Sequence, residues 1–113
     1  MIDLALLRNL MSGDEKLVLH FVSIFKTQVP GQVESLPGLC GDEDWEALST
    51  ALHSLKTQFS YVGLTEFAGQ MADMEESVDS GETDTIASQI AAFQQKFDIF
   101  WQAEFSGESN SLS

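Results

Sequence analysis

Basic side chains are what this chain most lacks: five Lys and Arg stand against 18 Asp and Glu, a formal charge of −13. Nucleic acid and anionic membrane are both held by clustered Lys or Arg, so neither is expected as a partner. The single cysteine, Cys40, has no mate for an internal disulfide. No apolar run reaches membrane length or has the form of a signal peptide, and the expected location is a reducing cytoplasm. A Gly-rich phosphate loop, a His or Cys pair at metal spacing and a supported Ser or Cys triad are all missing, so neither cofactor nor metal is expected. At 113 residues the chain has room for one core and not for two.

Eight Phe and two Trp are available to fill that core. Apolar residues recur at helical spacing almost throughout, and no stretch alternates as a strand would. Ile2 to Met11 suits a short first helix ended by Ser12-Gly13, marginal by itself. Ser12 and Glu15 read as a capping box opening a second helix, whose arc of Leu17, Val18, Phe21, Val22, Ile24, Phe25 and Val29 is too wide for one neighbour to bury. Pro30-Gly31 predicts a kink, because apolar residues continue at Val33 and Leu36. Pro37-Gly38 and Gly41-Asp42 predict the loop that follows. Asp42 or Asp44 would cap a third helix reaching Val62 and closed by Gly63. A fourth helix starts at Thr65 and ends at Ser80-Gly81, and a fifth starts near Thr83 with Ile86, Ile90, Phe93, Phe97 and Phe100 on its stripe. The expected fold is all-α: an antiparallel four-helix bundle with a short extra N-terminal helix, over residues 1–106, then a polar flexible tail at 107–113.

One side chain breaks the pattern of the third helix. Trp45, Leu48, Leu52, Leu55, Phe59 and Val62 form its apolar stripe, while His53 falls about 130° from the centre of that arc, among Glu46, Ser49, Thr57 and Ser60. An imidazole is thereby mounted on a long helix and aimed at solvent. Lys56 lies one turn on, at the edge of the stripe. On the fourth helix Glu75 falls about 45° from the apolar centre, so its carboxylate points partly inward and needs a partner. Spacing alone leaves two readings of Glu75: it holds a ring nitrogen of His53, or it pairs with Lys56 or solvent. His20 also lies off its stripe, and nothing around it suggests chemistry.

The run His53-x-Leu55-Lys56, followed by Phe59, Val62-Gly63-Leu64 and Met74-Glu75, resembles the signature of the histidine-containing phosphotransfer (HPt) domain of two-component phosphorelays. The chain departs from it at Thr57 and Gln58, where most members have Gly and then a small residue. The resemblance implies a monomeric carrier with no ATP site, in which His53 takes a phosphoryl group from a receiver-domain aspartate and passes it to another. Its partners would be receiver domains of response regulators or of a hybrid sensor histidine kinase. Lys56 would compensate phosphoryl charge and Glu75 would fix the imidazole tautomer. The expected partner surface comprises Val18, Val22, Ser49, Thr57 and Ser60, although Val18 and Val22 would equally suit packing under the first helix. Thr57 has three possibilities: its methyl crowds a partner, its hydroxyl donates to a phosphoryl oxygen, or it bonds back to the His53 carbonyl. The alternative function is a degenerate bundle that binds receivers without taking phosphate.

Overall fold

The computed structural model describes the backbone of residues 2–112 and the side chains of residues 2–105. Five helices follow one another: α1 (Ala5–Leu10), α2 (Glu15–Gly41), α3 (Trp45–Tyr61), α4 (Thr65–Asp79) and α5 (Ile86–Leu112). The four long ones form an antiparallel bundle, α1 lies against α2, and no strand occurs among the described residues. The expected tail at 107–113 lies outside the residues whose side chains are described.

Phe59 of α3 is the point at which the bundle meets. Its ring lies 6.1 Å from Phe25 of α2, 5.4 Å from Phe67 of α4, and 6.0 and 6.3 Å from Phe93 and Phe97 of α5. Three of these contacts are edge-to-face, an arrangement that contributes about 0.5–1.5 kcal/mol per pair beyond area burial. Leu48, Leu52 and Leu55 are fully buried on the same side of α3, and no polar or charged residue is buried among those described. The stripe read from spacing is thus the buried face, and the opposite side of α3 is left as an open ridge.

Three local expectations are corrected by the fold. The capping box at Ser12 and Glu15 does not form. Ser12 and Gly13 both take left-handed backbone (φ 54° and 78°) to reverse the chain after α1, and Asp14 caps α2 instead, its Oδ1 accepting from Lys16 N at 3.0 Å and Leu17 N at 3.3 Å. Glu15 is drawn away by Arg8, whose Nε donates to it at 2.8 Å.

The second correction is the loop expected from Pro37: α2 runs through both prolines to Gly41, leaving only Asp42–Asp44 as the connection. Proline at 37 cannot donate to the carbonyl of Val33. Gln94 of α5 donates to that carbonyl at 3.2 Å, and fully buried Leu36 holds the last turns on the core. Of the two candidate caps for α3 it is Asp44 that serves, accepting from Ala47 N at 3.2 Å.

The third correction concerns Val18, which is fully buried, as is Leu7 of α1. The first helix covers that part of the wide α2 arc, so Val18 is not available to a partner. The N-terminal segment is tied across the α3–α4 turn, where Asp3 N donates to Val62 O at 2.8 Å. Gly63 beside it has φ +77°, and a Cβ there would stand 2.6 Å from Asp3 Cβ. Only glycine meets both conditions.

Candidate functional site

His53 sits midway along α3 on the open ridge, with 60% of its side chain exposed and Nδ1 3.0 Å from Glu75 Oε2. The other oxygen of the same carboxylate accepts from Lys56 Nζ at 3.2 Å. Both readings of Glu75 therefore hold at once, one oxygen for each partner. The partial inward tilt expected from spacing is also present, since the Glu75 side chain is 18% exposed. An ionised carboxylate only accepts, so Nδ1 carries the proton in this bond, and in the neutral ring Nε2 keeps its lone pair. That nitrogen has no hydrogen bond among the described residues, on a side chain that is 60% exposed.

The hydroxyls around the imidazole are all engaged. Thr57 Oγ1 donates back to the His53 carbonyl at 3.2 Å, the third of its three possibilities, and Ser60 Oγ donates to the Lys56 carbonyl at 2.9 Å. Ser49, one turn before His53, donates to Asp79 Oδ1 of α4 at 2.6 Å. On the other flank Gln58 Nε2 reaches α2, donating to Gln32 Oε1 at 2.8 Å and to Ser54 Oγ at 3.1 Å. Polar bonds thus brace α3 on both sides of the ridge, to α2 through Gln58 and to α4 through Ser49, His53 and Lys56.

Of the expected partner surface, Ser49, Thr57 and Ser60 lie along this ridge, Val22 is half-buried on α2, and Val18 is removed from it. Leu6, Leu10 and Leu17 are 48–56% exposed at the start of the chain. The wide arc of α2 announced surplus apolar surface without saying which residues α1 would leave uncovered. Asp79 and the Gln58–Gln32 bridge were likewise not anticipated. Asp79 could have been found from the register: stepping four residues back from His53 on α3 and four forward from Glu75 on an antiparallel α4 brings Ser49 to Asp79. His20 is exposed and has no hydrogen bond or ion pair. No group of His, Cys, Asp and Glu suited to a metal occurs among the described residues, and no helix is long and apolar enough to cross a membrane.

A family model described as Hpt domain matches residues 20–103, most of the chain and the whole of the ridge. The chain belongs to the Hpt domain family. No curated protein and no solved structure gives a significant match. Hpt domains are helical bundles that serve as phosphotransfer carriers in phosphorelays and interact with receiver domains. In this Hpt domain, the histidine at the resemblance's key position is the one whose ring is held by a carboxylate of the adjacent helix.

Proposed function

We propose that His53 is the phosphoryl acceptor and that the chain carries the group between two receiver domains. The observation that carries this reading is the bond from His53 Nδ1 to Glu75, which leaves the Nε2 lone pair of the neutral ring uncommitted on a side chain that is 60% exposed. In the incoming step that lone pair attacks the phosphorus of an aspartyl phosphate. The P–N bond forms as the P–O bond breaks, and the aspartate carboxylate leaves with the electron pair. The imidazole becomes cationic while keeping its proton on Nδ1, and Glu75 lies against that proton to balance the charge. In the outgoing step a second aspartate attacks phosphorus and the electron pair returns to Nε2.

Lys56 supplies the compensating charge for the phosphoryl oxygens. Its ammonium already rests on the carboxylate that holds the ring, one turn from His53 along the helix. Phosphoryl transfer asks a carrier for little more than a positioned nucleophile and such compensation, and the receivers bring the rest.

The test is incubation with a phosphorylated receiver. Wild type is expected to gain acid-labile, base-stable label and His53→Gln none. The variant should keep its helicity and melt within several degrees of wild type, because the Gln amide can still donate to Glu75 and an exposed helix position otherwise contributes about 0.5 kcal/mol or less. Full labelling of the His53→Gln variant would overturn the assignment. A wild type that binds receivers yet never takes label would show a degenerate binding module.

A further inference from the structure

α4 presents two carboxylates to the ridge, and they are not alike. Glu75 is neutralised by the Lys56 ammonium and the Nδ1 proton of His53. Asp79, one turn further along α4, is met only by the uncharged hydroxyl of Ser49 at 2.6 Å. Among the described residues no Lys, Arg or His lies within ion-pair distance of it. Its place is electrostatically poor for folding. Asp79 is the last residue of α4, whose final turn holds no base, and a negative charge there opposes the helix macrodipole. The Ser49 bond needs only an acceptor, which Asn would also supply, so the negative charge itself breaks a local rule without a partner of opposite sign, and such a place is where function is to be sought.

Ser49 precedes His53 by one turn on the same face, and helical side chains lean toward the N-terminus, so the imidazole leans over the turn that contains Ser49. The short Ser49–Asp79 bond therefore keeps an uncompensated carboxylate about one helical pitch from the ring. We infer that Asp79, held in place by Ser49, weakens the phosphoryl linkage on His53 by charge repulsion, so that this chain gives the group up readily. Ser49 is the positioning residue in this arrangement. The inference rests on the proposed role of His53 and adds a regulator of how long the group stays.

The relevant step is loss of the phosphoryl group from Nε2. The N–P bond breaks with its electron pair returning to nitrogen, while an oxygen of water or of an acceptor carboxylate bonds to phosphorus. The phosphoryl group takes away about two negative charges while the ring gives up the positive charge it carried, so about one net negative charge is removed from beside Asp79 and the repulsion is relieved. At roughly 7 Å in high dielectric this is worth a little under threefold unscreened, falling to about 1.5-fold at 0.15 M salt.

The probe is potassium phosphoramidate, which phosphorylates imidazole directly with release of ammonia, so no receiver is needed. Decay of the phosphohistidine signals, followed by phosphorus NMR, should be about 1.5-fold slower at His53 in Asp79→Asn than in wild type at 0.15 M salt. The gap should widen at low salt and close at 1 M. Asn retains an acceptor for Ser49, so Ser49→Ala, which releases the carboxylate, should slow decay by less. Phosphate on His20 should decay equally in all three proteins. Asp79→Asn should melt no lower than wild type, whereas a merely structural Asp79 would make it melt lower. An unchanged or faster decay at His53, or a difference that persists at 1 M salt, overturns the inference. Failure of phosphorylated receivers to label wild type would refute the carrier role instead, while the chemical decay would still report on Asp79.

Discussion

Replacing Glu75 by Ala removes two bonds with one change, and the two can be told apart. The Nδ1–Glu75 bond is 3.0 Å and the Lys56–Glu75 bond 3.2 Å, with the carboxylate 18% exposed and the imidazole 60% exposed. A hydrogen bond to a charged group contributes about 1.5–3 kcal/mol, and the exposure of the ring puts this one at the lower end. If that energy serves to hold the ring with Nε2 unprotonated, its loss should slow phosphoryl transfer about tenfold, since 1.4 kcal/mol is one decade. For stability, the part-buried ion pair with Lys56 adds about 0.5 kcal/mol, and Ala recovers a few tenths through helix propensity. The net loss of about 1.5–2 kcal/mol should lower Tm by about 6–8 °C. The assay is nitrogen-resolved NMR of His53 together with label transfer from a receiver. Glu75→Ala should mix the tautomers and slow transfer, while Lys56→Ala should leave the tautomer as in wild type. An identical tautomer ratio in wild type and Glu75→Ala would refute the reasoning, whatever happened to the rate.

Lys56→Ala should itself shorten the life of the phosphorylated form or slow transfer by about fivefold, a loss on the order of 1 kcal/mol, and rates unaltered in both directions at low salt would remove Lys56 from the mechanism. Thr57→Gly should lower stability by about 0.5 kcal/mol through helix propensity, while transfer changes by less than about tenfold because the hydroxyl is turned back to the His53 carbonyl; acquisition of label only in the Gly variant would show that Thr57 blocks the site. Gly63→Ala should cost about 2–3 kcal/mol, from the left-handed backbone and from displacement of Asp3, and would be read by thermal unfolding and by faster amide exchange at Asp3. A melting temperature within a degree of wild type would contradict the close approach of Asp3 to that turn.

What could be read from the sequence was whatever local rules decide. The stripe of α3, the glycine stops at 63 and 81 and the outward aim of His53 all follow from helical periodicity, and the structure keeps them. What could not be read depended on residues far away in the chain. Pro37 looks like a helix stop until Gln94, from the last helix, takes the carbonyl that proline leaves without a donor. Val18 suits a partner surface or a covered face equally until a six-residue helix is laid over it. Ser12 looks like a cap because its spacing to Glu15 is right, but the reversal after α1 needs its backbone for another purpose. Glu75 could be aimed by periodicity but not assigned, since which cation it meets depends on the register of α3 against α4.

If the chain carries phosphate as proposed, the junction of rings around Phe59 bears on how it would serve two partners. The same helix that displays the imidazole is locked to the other three by a side chain six residues away, so no hinge lies between nucleophile and core. Whatever adjusts when a donor is exchanged for an acceptor must then be a side chain on the ridge or the visiting protein itself. Donor and acceptor are expected to read one unchanging template, and so to compete for it: occupancy by one excludes the other, and the order of events is set by their relative affinities for the charged and uncharged forms of a single histidine.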